Sequence, residues 1–422
     1  MRPKPESYAH VDNEGRLVLP PGVVSRYGLR PDARVFIDEK SNTLQLRQPV
    51  THLAKIYIEP TNICNLECRT CIRNVWDDPP GQMCSTVFDS ILEGLRGFSP
   101  PPTVFFGGFG EPLAHPDIVQ MVARMKTLDA KVELITNGTL LTKEMSRKLI
   151  TAGLDMLWIS LDGATPESYA DVRIGAALPE VLANLKAFSD ARGISFYHWF
   201  PDISTTPQIG IVFVAMKRNI ADLPSIIRLG IQSGVTHFLV SNVLPYTADM
   251  NREVLYQRAL NDFGYVPSWY CTELPKIDLD RDTTEPLFWT VRSGHTMSFA
   301  GANFAESCDR CPFIDRGATA IAWDGSLTPC LPLLHNHTSF LMDRERTSRQ
   351  YRVGNVVDCD LINLWNNPEY VAFRDRVQRF DFSPCTSCGG CDFSEKNEED
   401  CFGNTFPTCG GCLWAQGVIR CP

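Results

Sequence analysis

Ile56-Tyr57-Ile58-Glu59-Pro60-Thr61-Asn62-Ile63-Cys64-Asn65-Leu66-Glu67-Cys68-Arg69-Thr70-Cys71 places three thiols, spaced C-x3-C-x2-C, directly after a short β-like run. Cysteine thiolates are the usual ligands of iron–sulfur clusters. A loop of this length can wrap Cys64, Cys68 and Cys71 around one face of a four-iron cube. Three ligands for four irons leave one iron open, and an open metal position is where a small molecule binds and reacts. Spacing alone leaves two plainer readings, a structural zinc knuckle or three unrelated core thiols. Zinc would need a fourth Cys or His close by, and within twenty residues after Cys71 only Cys84 offers one.

Composition narrows the class. At 422 residues the chain can bury the cores of two or three domains. Hydrophobic content of 44% and charged content of 21% fit a soluble globular enzyme. No apolar run is long enough to span a membrane, and Met1-Arg2-Pro3-Lys4-Pro5-Glu6 lacks the apolar core of a signal peptide. These features predict a cytoplasmic protein with no membrane partner. In a reducing compartment, sixteen cysteines read as metal ligands or reactive thiols rather than disulfides. A net charge of −9 argues against a nucleic-acid surface over the whole body.

The chain divides by pattern. Residues 1–50 carry a turn at Asn13–Arg16, a strand start at Leu17–Pro20, a short helix at Val23–Tyr27, and a hairpin from Arg34 to Arg47. Gly15, Arg16, Leu17 to Pro20, Tyr27-Gly28-Leu29 and the run Val35 to Leu46 resemble the AbrB/SpoVT swapped-hairpin family. Asp32-Ala33 departs from its usual Gly-Asp. That resemblance implies a β module used for homodimerisation or docking. Its net charge of only +2 is thin support for binding DNA.

Residues 51–265 alternate strand-like and helix-like segments, with six candidate strands at Lys55–Ile58, Val104–Phe106, Val132–Ile135, Met156–Leu161, Ile209–Val214 and His237–Val240. Such alternation predicts an α/β fold with a parallel sheet, either a partial barrel or a doubly wound sheet. In parallel barrels the chemistry gathers at the carboxyl ends of strands, where the cysteine loop falls. Residues 266–300 read as an irregular bridge. Residues 301–422 hold eleven of the sixteen cysteines and few long apolar periods, so metal rather than a large core is expected to organise them.

Further motifs follow the cysteine loop in order. Gly107-Gly108-Phe109-Gly110-Glu111-Pro112 comes after the second strand and Thr136-Asn137-Gly138 after the third. Ser160-Leu161-Asp162-Gly163, with Tyr169 and Arg173, comes after the fourth. Together with the cysteines these resemble the radical S-adenosylmethionine (SAM) enzymes, which implies a partial (β/α)6 barrel, a [4Fe–4S] cluster and SAM. By that resemblance Gly108, Phe109 and Gly110 meet the SAM amino group through backbone, and Glu111 balances the ammonium. Asn137, Ser160 and Asp162 line the cofactor, Arg173 pairs with its carboxylate, and Asn242 lies by the adenine. The family's aromatic residue before the third cysteine is Thr70 here, which leaves Ile72 or Trp76 to pack on the base. Taken singly, the glycine turn could be an ordinary strand-to-helix turn, and Arg173 a solvated helix end.

Cys311, thirteen residues, then Gly325-x4-Cys330, followed by Gly354-Asn355, Trp365 and Phe373-Arg374, resemble the opening of a SPASM domain. The resemblance implies two auxiliary [4Fe–4S] clusters, one on Cys308, Cys311, Cys330 and Cys412, the other on Cys385, Cys388, Cys409 and Cys421. Cys391 and Cys401 could replace Cys409 or Cys412, and one or two zinc ribbons fit the C-x2-C pairs equally well. Cys84, Cys271 and Cys359 stand apart as core or incidental thiols, and His335 and His337 read as ordinary loop residues.

The position that carries a proposed base in sulfatase maturases is Leu331, which disfavours that reaction. The whole arrangement resembles the radical SAM maturases associated with tungsten-cofactor oxidoreductases. This implies action on a protein or peptide, or on the cofactor of a tungsten-containing oxidoreductase, with a low-potential donor such as ferredoxin or flavodoxin. Two alternatives are a redox-sensing iron–sulfur regulator that binds DNA and a pterin-forming radical SAM cyclase. A sensor needs no SAM pocket, and a cyclase would need basic phosphate ligands that the acidic C-terminal part does not offer.

Overall fold

The computed structural model describes residues 8–40, 43–193, 207–257, 280, 282–286, 297–299, 310–388 and 391–422. Most of the bridge expected over 266–300, with Cys271 and Cys308, lies outside these residues, as does the side chain of Cys388.

At the amino end, β1 (His10–Val11) and β2 (Leu17–Val18) pair antiparallel, and a helix at Pro21–Arg26 follows. β3 (Phe36–Lys40) and β4 (Thr43–Arg47) form a hairpin with Ile37 opposite Leu46. Two short ladders cannot cover both their faces, and Leu17, Ile37 and Leu44 remain exposed.

Six strands follow: β5 (Lys55–Ile58), β6 (Thr103–Phe106), β7 (Val132–Thr136), β8 (Met156–Ser160), β9 (Gln208–Ala215) and β10 (His237–Asn242). All pair parallel and in chain order. A doubly wound sheet reverses its strand order partway; this one does not. Right-handed crossovers then put every connecting helix on one side, which is the barrel arrangement. The helices carry one apolar stripe each. Helix Ile118–Lys126, for example, buries Ile118, Met121, Val122 and Met125, the spacing of a single helical face. With Ile56, Ile58, Val104 and Phe106 of the strands, these residues form one continuous core.

The opposite strand face holds Lys55, whose Nζ lies 3.0 Å from Glu133 Oε2. Across that face runs the segment 418–422. Val418 O accepts from Asn242 Nδ2 at 3.0 Å, Arg420 N–H donates to Ser241 Oγ at 2.9 Å, and Pro422 O accepts from Tyr57 Oη at 2.7 Å. It links the last barrel strand to the first.

The sheet does not stop at six strands. β11 (Met297–Phe299) adds parallel to β10, and β12 (Ala318–Ile321) adds parallel to β5. β13 (Ser326–Thr328) follows antiparallel, β14 (His337–Leu341) and β15 (Arg344–Ser348) make a separate hairpin, and β16 (Gly354–Asn355) closes on β13. The C-terminal region is therefore continuous with the barrel sheet. It also has more core than the sequence pattern predicts. Trp365 is fully buried, Arg374 stacks on it at 3.7 Å, and Arg374 Nε donates to Val50 O at 2.7 Å. Apolar periodicity misses this core because a stacked cation supplies much of its surface. Among the described residues, no helix is long and apolar enough to cross a membrane.

Candidate active site

Beyond β5 the cysteine loop is held by its own short polar side chains. Thr61 Oγ1 donates to Gly81 O at 2.7 Å, and Asn62 bonds both Pro79 O and Gly81 N, at 2.9 and 2.7 Å. Glu67 N to Ile174 O (3.2 Å) and Arg69 N to Val172 O (3.0 Å) tie the loop to the segment that carries Arg173. Cys64, Cys68 and Cys71 are thereby gathered. Burial pushes the Cys71 thiol up to about 11, and Cys68 and Cys64 add to the rise. Burial likewise raises Cys64. Two nitrogen donors point at this group: Asn137 Nδ2 lies 3.8 Å from Cys64 Sγ and Arg173 Nη1 3.8 Å from Cys68 Sγ. Donors aimed at cysteine sulfur fit an iron–sulfur ligand set, whose potential such bonds tune. Among the described residues, no three Cys, His, Asp or Glu side chains converge as ligands of one metal ion. Ligands of a cubane bind separate irons and need not converge.

The glycine turn leans on this loop. Glu111 N–H donates to Ile63 O at 2.9 Å, and a Cβ on Gly110 would stand 2.1 Å from Thr61 O. Gly108 has φ +148°, and a Cβ there would meet Glu59 Cγ at 2.7 Å. Gly110→Ala is expected to force the two loops apart, since the clash is with backbone that cannot rotate away. We expect at least a tenfold loss in SAM affinity, about 1.4 kcal/mol, measured by anaerobic calorimetry; unchanged affinity would remove the turn from the site.

Glu111 has a structural part in the turn. Its carboxylate, 2% exposed, accepts from Leu113 N (3.0 Å), Thr136 Oγ1 (2.7 Å) and Asn137 N (2.8 Å). Burial raises its pKa and those bonds pull it back. It braces the second-strand turn to the third-strand turn.

Arg173 is not a solvated helix end. Its Nε and Nη2 lie 2.7 and 2.6 Å from Asp162 Oδ2, while Nη1 faces Cys68. Asp162, fully buried, also accepts from Val214 N at 2.7 Å. Burial would lower the Arg173 pKa, but the Asp162 carboxylate outweighs this and raises it. Asp162 is thus an internal brace rather than a ligand contact. Ser160 is buried at the end of β8. Asn242 spends its amide donor on Val418, but its Oδ1 is buried without a partner. Ile72 is sealed in the core and Trp76 is edge-on to Phe109 at 6.0 Å. Cys84 is exposed, outside any core.

His335 corrects the sequence reading most sharply. It is buried, with Nε2 at 2.9 Å from Glu59 Oε2 and Nδ1 hydrogen-bonded to Asp78 Oδ2. Trp76 packs against its ring at 4.3 Å, and Glu59 Oε1 accepts from Phe109 N at 3.0 Å. Burial alone would lower its pKa; the Glu59 and Asp78 carboxylates outweigh this and raise it. The imidazole therefore joins the C-terminal region to the strand end and glycine turn. His337 is buried as well, and burial lowers its pKa to about 4. The sequence reading missed both residues: Glu59, directly after β5 and just before the cysteines, had a positional signal, whereas His335 carries none.

Several of the C-terminal cysteines lie near one another. Cys311, Cys330, Cys409 and Cys412 stand close enough for Cys311, Cys412 and Cys409 to add to the rise that burial causes at Cys330. Cys409 is also influenced by Cys412 and Cys311. Cys385 has Cys391 beside it, while Cys401 is exposed. Cys421 is half-buried, with Trp414 Nε1 at 3.4 Å from its Sγ.

Residues 58–202 match the Radical SAM superfamily model, and residues 307–392 match the SPASM iron–sulfur cluster-binding domain. The chain is 30% identical over 371 residues to the tungsten-containing aldehyde ferredoxin oxidoreductase cofactor-modifying protein of Pyrococcus furiosus, covering 87% of this chain and 96% of that one. It is 24% identical to the mycofactocin maturase MftC of Mycobacterium tuberculosis, over 79% and 75% of the two chains. Among solved structures, Streptococcus suis SuiB bound to SAM superposes with a TM-score of 0.53 at 18% identity, covering 82% of this chain and 72% of that one.

Proposed function

Because this chain belongs to the radical SAM superfamily and carries the SPASM iron–sulfur extension, we propose that it is a maturase serving a tungsten-containing oxidoreductase. Its target is that enzyme's cofactor, or a protein segment altered as the cofactor is installed. The likeness to the Pyrococcus furiosus protein over nearly the whole of both chains supports this substrate class. The observation that carries the catalytic reading is the convergence of two donors, from Asn137 and Arg173, on the sulfurs of Cys64 and Cys68 beside a side-chain-free turn.

In this reading Cys64, Cys68 and Cys71 hold the SAM-binding cluster. Gly108, Phe109 and Gly110 offer backbone to the SAM amino group, and Ser160 and Asn137 line its length. The orphaned Oδ1 of Asn242 is an acceptor suited to the adenine amino group. When bound, cluster and SAM supply one-electron cleavage of the sulfonium, yielding methionine and a 5′-deoxyadenosyl radical for hydrogen-atom abstraction. The protein's own part is positional. Asp162 fixes Arg173, Arg173 and Asn137 bias the sulfurs, Glu111 locks two turns together, and the 418–422 segment covers the inner sheet face.

Cys311, Cys330, Cys409 and Cys412 would hold one auxiliary cluster, with Cys385 and Cys391 in the second. Electrons would come from ferredoxin or flavodoxin. The exposed Leu17, Ile37 and Leu44 of the amino-terminal module suit a homodimer contact in a cytoplasmic enzyme.

Anaerobic incubation with SAM and dithionite tests the assignment. The wild type should accumulate 5′-deoxyadenosine with about twelve irons per chain, counting four per cubane. The Cys64/Cys68/Cys71 triple Ala variant should make none and keep about eight. Zinc at the loop, or no 5′-deoxyadenosine from iron-replete protein, would sink it.

A further inference from the structure

We propose that Arg346 is the cation that sets the potential of the auxiliary cluster at Cys311, Cys330, Cys409 and Cys412. This rests on the reading that the C-terminal cysteines hold iron–sulfur clusters. Arg346 lies on β15, opposite Ser339 of β14, and is only 5% exposed. Its neighbour Arg344 pairs with Glu395 at 3.3 Å. Arg346 by contrast donates to a backbone carbonyl, Ser394 O. A buried guanidinium without a compensating anion is costly, and the neighbours that could supply negative charge when a cluster is held are the sulfurs of Cys330, Cys409 and Cys412.

The surroundings are built around that placement. Arg346 lines one cavity with Cys330, Cys409 and Cys412, and with His337 and Asn397. The loop Cys409-Gly410-Gly411-Cys412 admits the guanidinium only because Gly411 lacks a side chain. A Cβ there would stand 2.6 Å from Arg346 Nη1 and 2.7 Å from Cζ. A residue that merely filled space would need neither the charge nor the glycine opposite it.

A four-cysteine cubane carries net negative charge that grows on reduction. A fixed cation beside it stabilises the reduced form and raises the potential, through charge and through hydrogen bonds to sulfur.

The test is an EPR-monitored redox titration in the Cys64/Cys68/Cys71→Ala background, where auxiliary clusters alone report. Arg346→Gln should lower one auxiliary midpoint enough to cut the reduced-to-oxidised ratio at least tenfold at the wild-type midpoint, 59 mV for one electron. Arg346→Lys, which keeps the charge but not the fork, should shift less. Gly411→Ala, which displaces the guanidinium, should shift in the same direction as Arg346→Gln and carries the test should that variant not assemble. Loaded variants with unshifted midpoints would overturn the role of Arg346. A parent protein without auxiliary iron would instead overturn the cluster reading.

Discussion

Asp162→Asn is expected to destabilise the protein by roughly 3–5 kcal/mol, the usual cost of removing one partner from a buried ion pair. The carboxylate is fully buried and holds Arg173 through two nitrogens at 2.6–2.7 Å. Asn keeps the shape and can still accept from Val214 N, so the loss isolates charge from packing. It leaves a guanidinium, 12% exposed, without the carboxylate that held it beside the cysteine loop. Because Val172 O and Ile174 O also anchor that loop, relaxation of Arg173 should propagate to Cys68. We expect a lower urea midpoint with an unchanged slope, together with slower reconstitution of the SAM-binding cluster. A midpoint within error of wild type would mean that Arg173 finds solvent when Asp162 is neutral, and that the brace is dispensable. Ser160→Ala, two residues earlier at the end of β8, has no ion pair to lose and serves as the control.

The contrast between Asp162 and Glu111 shows where sequence reading stops. The six strands, the cysteine loop and the glycine turn were legible, because apolar runs, fixed Cys spacing and side-chain-free turns are local properties. The partners of the motif's charged residues were not. Arg173 and Asp162 are eleven residues apart, yet only the fold turns them on one another. Glu111 reaches a turn twenty-six residues away. The same limit explains the C-terminal region. C-x2-C spacing gives pairs of ligands but not the way pairs combine, and burial placed Cys409 with Cys311 and Cys330. A buried Arg374 stacked on Trp365, and Arg346 among thiols, invert the rule that charge marks surface; each is recognisable only by what surrounds it.

His335→Gln is expected to cost about 3–5 kcal/mol near pH 6 and progressively less at higher pH. The ring bridges Glu59, whose side chain is fully buried, and Asp78, which is partly exposed. Flanked by two carboxylates, the imidazole has a folded-state pKa above its usual 6.5. A group whose pKa is raised on folding adds stability that is fully present below the unfolded value. That contribution is lost as pH climbs through the folded value, because the native state must then give up a proton the unfolded state has already released. Gln can hydrogen-bond one carboxylate but cannot carry charge, so its variant lacks the contribution at every pH. The wild-type advantage, read from urea midpoints at a series of pH values, should therefore be greatest on the acid side of pH 6.5 and shrink toward pH 9. A constant difference across that range would show that the ring acts as a neutral spacer. A functional companion follows from the same geometry. Glu59 Oε1 holds the Phe109 amide at 3.0 Å, so a Glu59 left without its imidazolium would no longer pin the glycine turn. SAM affinity should then fall more than the turnover of bound SAM, a split that general unfolding would not produce.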